Sequence, residues 1–354
     1  MMRTVRLARV AKVAVRVGAV ILGGGILVLG VWLIIWFIWG VPPAEAERSP
    51  EDRAKPEAPD QRSEGSAEFD GRGGRMKYGR LASSATAHAR KPRPRWQTLP
   101  LPPAMPQPED QGNALVAGAQ IYYTVYGKGD PVVLLHGGLG NSAHFGFQLP
   151  ALVDKFQVIA IDSRGQGKST MGTGPITYDK MAADVIAVLD KLAIKRANVV
   201  GWSDGGEIAL KLGIGFADRV ERLFVFGANY DANGSKSRQG PRSATFAAYS
   251  AKCRSDYERL STSGLPYNDL VDALRPLWRS PTGITKDQLR AIKAPVMMAD
   301  GDHDEVIVLA QIEEMAKLIP NAKLKVFRDA SHFALWQDPD GFNATLIEFL
   351  MAQI

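Results

Sequence analysis

The chain of 354 residues has a single cysteine, Cys253. No disulfide can form within it, so the fold must rest on a packed core rather than on covalent staples. Histidine is scarce, at five positions, which leaves few side chains for a base or a metal ligand. No acidic residue precedes Glu45, and no charge of either sign occurs between residues 17 and 44. No repeat with a period of 20–50 residues is present, which excludes solenoid and propeller architectures. The net charge of +6 is unevenly placed: residues 1–16 hold +5, 17–95 hold +3 and 96–354 hold −2. The basicity belongs to the N-terminal region, and the mildly acidic remainder has no electrostatic footprint for nucleic acid.

The uncharged run follows Arg3, Arg6, Arg9, Lys12 and Arg16 and ends near Trp32, Trp36 and Trp39. About 24 helical residues span roughly 36 Å, enough for a bilayer core. Indoles favour the membrane interface, and basic residues stay on the cytoplasmic side. Residues 1–16 therefore read as a cytoplasmic tail and 17–41 as a single-pass signal anchor through the lipid bilayer. The bulk of the protein then faces the periplasm or cell exterior. The competing reading is a secreted protein cleaved at Ala44-Glu45-Ala46, although the apolar run exceeds the usual length of a signal core. Residues 42–111 read as a disordered linker rich in proline and arginine, without helical or strand periodicity. Its charges from 72 to 95 are all basic. They serve either as a solvated tether or as a contact for anionic lipid or envelope polymer.

From about residue 112 the pattern is that of a folded domain. Short apolar runs at 120–126, 131–135, 156–161, 198–201, 223–226, 296–299 and 324–327 alternate with helical spacing, as at 178–192. Wholly apolar strands alternating with helices predict an α/β fold, a mostly parallel central sheet covered on both faces. The alternation lapses over about 229–293, where helical patterns near 244–260 and 267–278 predict a small cap over the carboxyl ends of the strands, the ligand-binding edge. Phe246, Tyr249, Leu270, Leu274 and Trp278 are candidates either to line a pocket there or to pack the cap onto the domain.

Gly201-Trp202-Ser203-Asp204-Gly205 lies between an apolar strand and a helical pattern. This is the context of a nucleophile elbow, where a serine is lifted out of the sheet on a sharp turn. A serine hydroxyl needs a base within reach and a third group to orient that base. Asp300-Gly301-Asp302-His303-Asp304 follows a later strand and Ser331-His332 follows the last one. All three would end at one edge of a parallel sheet. The acidic cluster is a poor calcium loop, because an EF-hand needs Gly at its sixth position and Glu at its twelfth, here Glu305 and Gln311. Gly167-Lys168-Ser169 lacks the earlier glycine of a phosphate-binding loop, which is Asp162.

Four motifs together resemble the α/β-hydrolase superfamily over about 112–354. They are His136-Gly137-Gly138-Leu139-Gly140, the run Asp162 to Ser169, the elbow, and Gly301-Asp302-His303-Asp304 with Ser331-His332. The Gly201-Trp202-Ser203-Asp204-Gly205-Gly206 elbow is similar to those of esterases of the biphenyl-hydrolase-like and valacyclovir-hydrolase type. The resemblance implies Ser203 as nucleophile, His332 as base and Asp304 as orienting acid, with Asp302 the competing acid. It implies an oxyanion hole from the backbone N–H groups of Gly138 and Asp204. His144, Trp202 and Trp278 are the weaker substrate-binding candidates, and His136 reads as structural. The expected function is a membrane-anchored serine hydrolase cleaving small-molecule carboxylic esters or related acyl bonds, with no metal or organic cofactor. Carbon–carbon bond hydrolysis, perhydrolysis and a non-catalytic envelope-binding role fit the same features.

Overall fold

The computed structural model describes residues 92–236, 243–279 and 283–353. The segments read as cytoplasmic tail and anchor, 1–16 and 17–41, lie outside the described residues. Among the described residues no helix is long and apolar enough to cross a membrane.

Eight strands form one sheet: β1 (Asp110–Val116), β2 (Ala119–Tyr126), β3 (Asp130–Leu135), β4 (Phe156–Ile161), β5 (Ala197–Trp202), β6 (Val220–Phe226), β7 (Val296–Gly301) and β8 (Ala322–Phe327). Their order is β1-β2-β4-β3-β5-β6-β7-β8. The hairpin β1–β2 and the pair β2–β4 are antiparallel, and every other pairing is parallel. In chain order the helices are α1 (Leu149–Leu152), α2 (Tyr178–Lys191), α3 (Asp204–Gly215), α4 (Ala244–Leu260), α5 (Tyr267–Arg279), α6 (Lys286–Arg290), α7 (Leu309–Leu318), α8 (Ala334–Gln337) and α9 (Pro339–Met351).

Successive side chains of a strand point to opposite faces, and the central strands are apolar on both. Val133, Leu135, Val199, Leu223 and Val225 join the core that α2, α3 and α7 cover. Val132, Leu134, Val200, Phe224 and Phe226 join a second core with α8 and α9. Phe342 of α9 anchors that second layer: its ring meets those of Phe224, Phe226 and Phe327 at 5.2–5.4 Å. Helix starts follow local capping chemistry. Thr177 accepts from the Lys180 N–H at the start of α2, and Ser243 from the Phe246 N–H at the start of α4. Thr285 and Gln288 form a reciprocal capping box on α6.

Two boundaries differ from the sequence reading. The limit at 112 falls inside β1, whose alternation is weak because only Ala114 is buried. Residues 92–109, read as disordered linker, are fixed to the domain. The Arg95 N–H donates to Asp329, its guanidinium donates to the Arg328 carbonyl at 2.6 Å and pairs with Asp338 at 3.1 Å. Gln337 Nε2 donates to the Thr98 carbonyl at 2.7 Å, and the Trp96 ring lies 4.7 Å from that of His303. Partners more than 200 positions away hold Arg95 to Thr98, so no local periodicity marks that part of the stretch.

Truncating Phe342 removes a ring from a fully packed layer. Phe342→Ala is expected to lower folding stability by about 3–5 kcal/mol, measured as a shift in the urea midpoint with an unchanged m-value.

Candidate active site

Ser203 joins the end of β5 to the start of α3 with φ 56° and ψ −123°, a left-handed conformation that a side chain rarely takes. The strain is held by close packing. A Cβ on Gly201 would overlap the Gly205 carbonyl, and a Cβ on Gly205 would overlap the Leu135 carbonyl of β3. The Ser203 N–H donates to the Phe226 carbonyl at 2.9 Å, and its carbonyl accepts from the N–H groups of Gly206 and Glu207 at 2.7 and 3.1 Å. The serine is thereby presented above the sheet at the positive end of α3.

His332 lies in the turn after β8. Its ring packs against Trp202 and Phe226, and its carbonyl accepts from Trp202 Nε1 at 3.0 Å. Its Nδ1 donates to Asp304 Oδ2 at 2.6 Å. The other Asp304 oxygen accepts from the backbone N–H groups of Val306 and Ile307, each at 2.6 Å. Burial pushes the Asp304 carboxyl upward, but the adjacent imidazole and these donors hold it below the ordinary carboxylate value. Burial opposes a charge on His332, and the Asp304 carboxylate outweighs it, so the ring sits above its ordinary value. Asp302 turns elsewhere: it accepts from the Ala330 N–H at 3.2 Å and faces Arg328 at 3.7 Å. The carboxylate that meets the histidine is Asp304.

Ser203 and His332 line a cavity of about 1010 Å³. Asp304 supports it from behind the ring, leaving Nε2 as the nitrogen available on the cavity side. Gly138 and Asp204 also line it, and neither backbone N–H has a hydrogen-bond acceptor among the described residues. The loop after β3 approaches the elbow closely. A Cβ on Gly137 would press on Ser203 Cβ at 3.2 Å, and one on Gly138 would meet Asp204 Oδ2 at 2.7 Å. His136 anchors this loop. Its Nδ1 donates to the Gly137 carbonyl at 2.8 Å, and its Nε2 accepts from the Ser163 N–H at 2.9 Å. Burial lowers its pKa to about 4.

The cap reaches both sides of the elbow. Tyr249 Oη of α4 donates to the Gly138 carbonyl at 2.9 Å, and Trp278 Nε1 of α5 donates to both Asp204 carboxylate oxygens at 3.1 Å. Tyr178 Oη adds a second donor to Asp204 at 3.1 Å. Burial raises the Asp204 pKa against these donors, and it raises that of neighbouring Glu207 well above the usual range. Phe246, Tyr249 and Trp278 line the cavity, whereas Leu270 and Leu274 are buried in the core. Trp202 is buried and lines the cavity.

His144 is the substrate-binding candidate that the structure removes. It is fully buried, is not among the cavity residues, and packs against Trp202, Tyr249 and Trp336. Its Nε2 meets Asp256 of α4 at 3.1 Å, tying the loop after β3 to the cap. That partner lies 112 positions away, and nothing local to His144 announces it. Tyr178, Glu207, Lys236 and Glu305 also line the cavity and were not singled out from sequence. Tyr178 and Glu207 look like ordinary helix residues, and only the helix packing turns them inward. Among the described residues no group of three or more His, Cys, Asp or Glu side chains is arranged to hold a metal ion.

The model of the Alpha/beta hydrolase family matches residues 132–345. The chain belongs to the alpha/beta hydrolase family. Human serine hydrolase BPHL is 27% identical over 247 residues, 66% of this chain and 84% of the relative. A non-heme haloperoxidase of Rhodococcus erythropolis is 29% identical over 265 residues, 66% of this chain and 96% of the relative. Among solved structures, Est816, described as an N-acyl homoserine lactone degrading enzyme, is 28% identical with a TM-score of 0.56. That match covers 67% of this chain and 99% of Est816. An α/β-hydrolase scaffold with these differing relatives leaves the substrate to the cap and the site.

His136 gives this family member a testable acid limit. Its folded pKa of about 4 lies below the ordinary 6.5. The folded state therefore binds the proton less well than the unfolded chain. The stability this provides is complete above pH 6.5 and is lost as pH falls toward 4, on the order of 3 kcal/mol. Denaturant titrations across that range should show the loss, and the His136 ring resonances should stay those of the neutral tautomer down to about pH 4.

Proposed function

We propose that the protein is a membrane-tethered serine hydrolase that cleaves carboxylic esters or related acyl bonds through a Ser203–His332–Asp304 triad. One observation carries this reading: the buried 2.6 Å bond from His332 Nδ1 to Asp304, behind a cavity that His332 shares with the strained serine. A histidine held in that tautomer has its second nitrogen ready to take a proton.

Ser203 Oγ attacks the acyl carbon while His332 Nε2 accepts the hydroxyl proton. Asp304 holds the ring in place and stabilises the imidazolium. The developing oxyanion meets the N–H groups of Gly138, on the loop after β3, and of Asp204, at the elbow, which need no reorganisation. His332 returns the proton to the departing alcohol. Water then enters, His332 takes its proton, and the acyl group leaves as the acid. The similarity to a non-heme haloperoxidase favours perhydrolysis as the second reading, in which hydrogen peroxide replaces water in that last step.

The anchor over 17–41 is part of the proposal and rests on composition: a long uncharged apolar run after five basic residues. The domain would then lie in the periplasm or outside the cell. Residues 42–91 would form the tether, with docking complete by Arg95.

Ser203→Ala should reduce p-nitrophenyl ester turnover by several orders of magnitude and abolish labelling by a fluorophosphonate probe. A folded wild-type protein that takes no label would point to a binding role instead. The kcat/KM for ester should rise with pH through a midpoint above 6.5, because the raised ring must lose its proton to act as base. In cell fractionation the full chain should stay with membranes after alkaline carbonate washing. A soluble protein whose N-terminal sequence begins at Glu47 would replace the anchor with a cleaved leader.

A further inference from the structure

Asp300, at the end of β7, is a buried carboxyl that the proposed mechanism leaves unused. It is fully excluded from solvent. Its Oδ1 accepts the Gly301 N–H at 2.9 Å, and its Oδ2 has no donor among the described residues. The carboxyl also lies within hydrogen-bonding reach of Asp304. Two ionised carboxylates are acceptors only and cannot bond to each other. A contact of this kind in a dry site requires one proton between them.

The donors decide which residue holds that proton. Asp304 already accepts from His332 Nδ1 and from the N–H groups of Val306 and Ile307. Asp300 accepts from one N–H. The nearby Lys236 ammonium is committed to the Asp304 carbonyl at 2.6 Å. Negative charge is favoured where the donors converge, on Asp304. The proton then sits on Asp300 Oδ2, which turns an unpaired acceptor into a donor.

We propose that Asp300 is a positioning residue for His332, acting through Asp304: it stays un-ionised at neutral pH and donates its O–H to the Asp304 carboxylate. Burial, followed by the Asp304 charge, pushes the Asp300 carboxyl well above the usual range, in the same direction. The charged groups facing Asp300 are Asp304 and Lys236. Those facing His332 are Asp304, Glu305 and Asp204. The added donor fixes the rotation of the Asp304 carboxyl so that Oδ2 faces the imidazole. It also drains part of the carboxylate charge, which keeps the imidazolium from being held too tightly. The catalytic meaning rests on the triad reading above, while the protonation state does not.

Infrared difference spectroscopy of wild type against D300N at neutral pH reads the protonation state directly and needs no turnover. The expected result is a protonated-carboxyl carbonyl band present in wild type and missing from D300N. No such band would overturn the inference even if the enzyme is fully active, and its presence would stand even if Ser203 proved not to be the nucleophile. The positioning role is read from kinetics. D300V removes the donor and should lower kcat by about ten- to a hundredfold with little change in KM, and it should move the acid limb of kcat/KM upward. D300N keeps an uncharged donor, since the Gly301 N–H holds the amide oxygen at the Oδ1 place and directs the NH2 to Asp304. It should restore most of the lost kcat with the wild-type acid limb. An acid limb lowered in D300N, as loss of a negative charge would cause, overturns the proposal. So does a D300V enzyme indistinguishable from wild type. If D300V does not fold, the D300N profile and the infrared band decide alone.

Discussion

The constraint on which the site depends is the close backbone approach of α3 to the ends of β3 and β5. Gly201 lies against the Gly205 carbonyl and Gly205 against the Leu135 carbonyl, with no room for a Cβ at either place. That contact forces the turn between them into its left-handed conformation and leaves Ser203 nowhere to go but out over the sheet. It also brings the loop after β3 within van der Waals distance of the serine. Backbone donors from two separate segments can then face one point. Larger residues at these positions would separate the layers by a side chain, and no other part of the site could compensate.

Around this contact the polar groups are arranged in tiers. His332 reaches the cavity, Asp304 lies behind it, and the N–H groups of Val306 and Ile307 lie behind Asp304. His332, Asp304 and Ile307 are buried and Val306 is half-buried, so the carboxylate and the ring are held by their neighbours rather than by water. This is the condition under which hydrogen bonds are strong and their loss is costly. The segment at Arg95–Gln97 braces the same region from outside, through Asp329, Asp338 and the ring of His303.

The cap is joined to this machinery by hydrogen bonds as well as by apolar packing. Tyr249 holds the Gly138 peptide, Trp278 holds the Asp204 carboxylate, and Asp256 holds His144. The element that shapes the cavity is thus bonded to the residues that would receive the oxyanion. A shift of α4 or α5 that admits a different substrate would be felt at the elbow, which couples specificity to turnover in one structural unit.

The sequence by itself determined seven of the eight strands, all but the exposed β1, together with the elbow and the order of the three side chains along the chain. Each of those signals is local: a run buried on both faces reads as apolar, and a turn without space for a Cβ reads as glycine. It also left two carboxylates, Asp302 and Asp304, as candidate partners of His332. Only the tertiary structure decided between them, because the choice depends on which oxygen the N–H groups of Val306 and Ile307 turn toward His332, 28 positions away. The same holds for His144, which pairs with a residue of the cap instead of facing the cavity, and for Arg95 to Thr98, held by partners near the C-terminus. Long-range polar pairing leaves no periodic trace in a chain, and so it is legible only once the chain is folded.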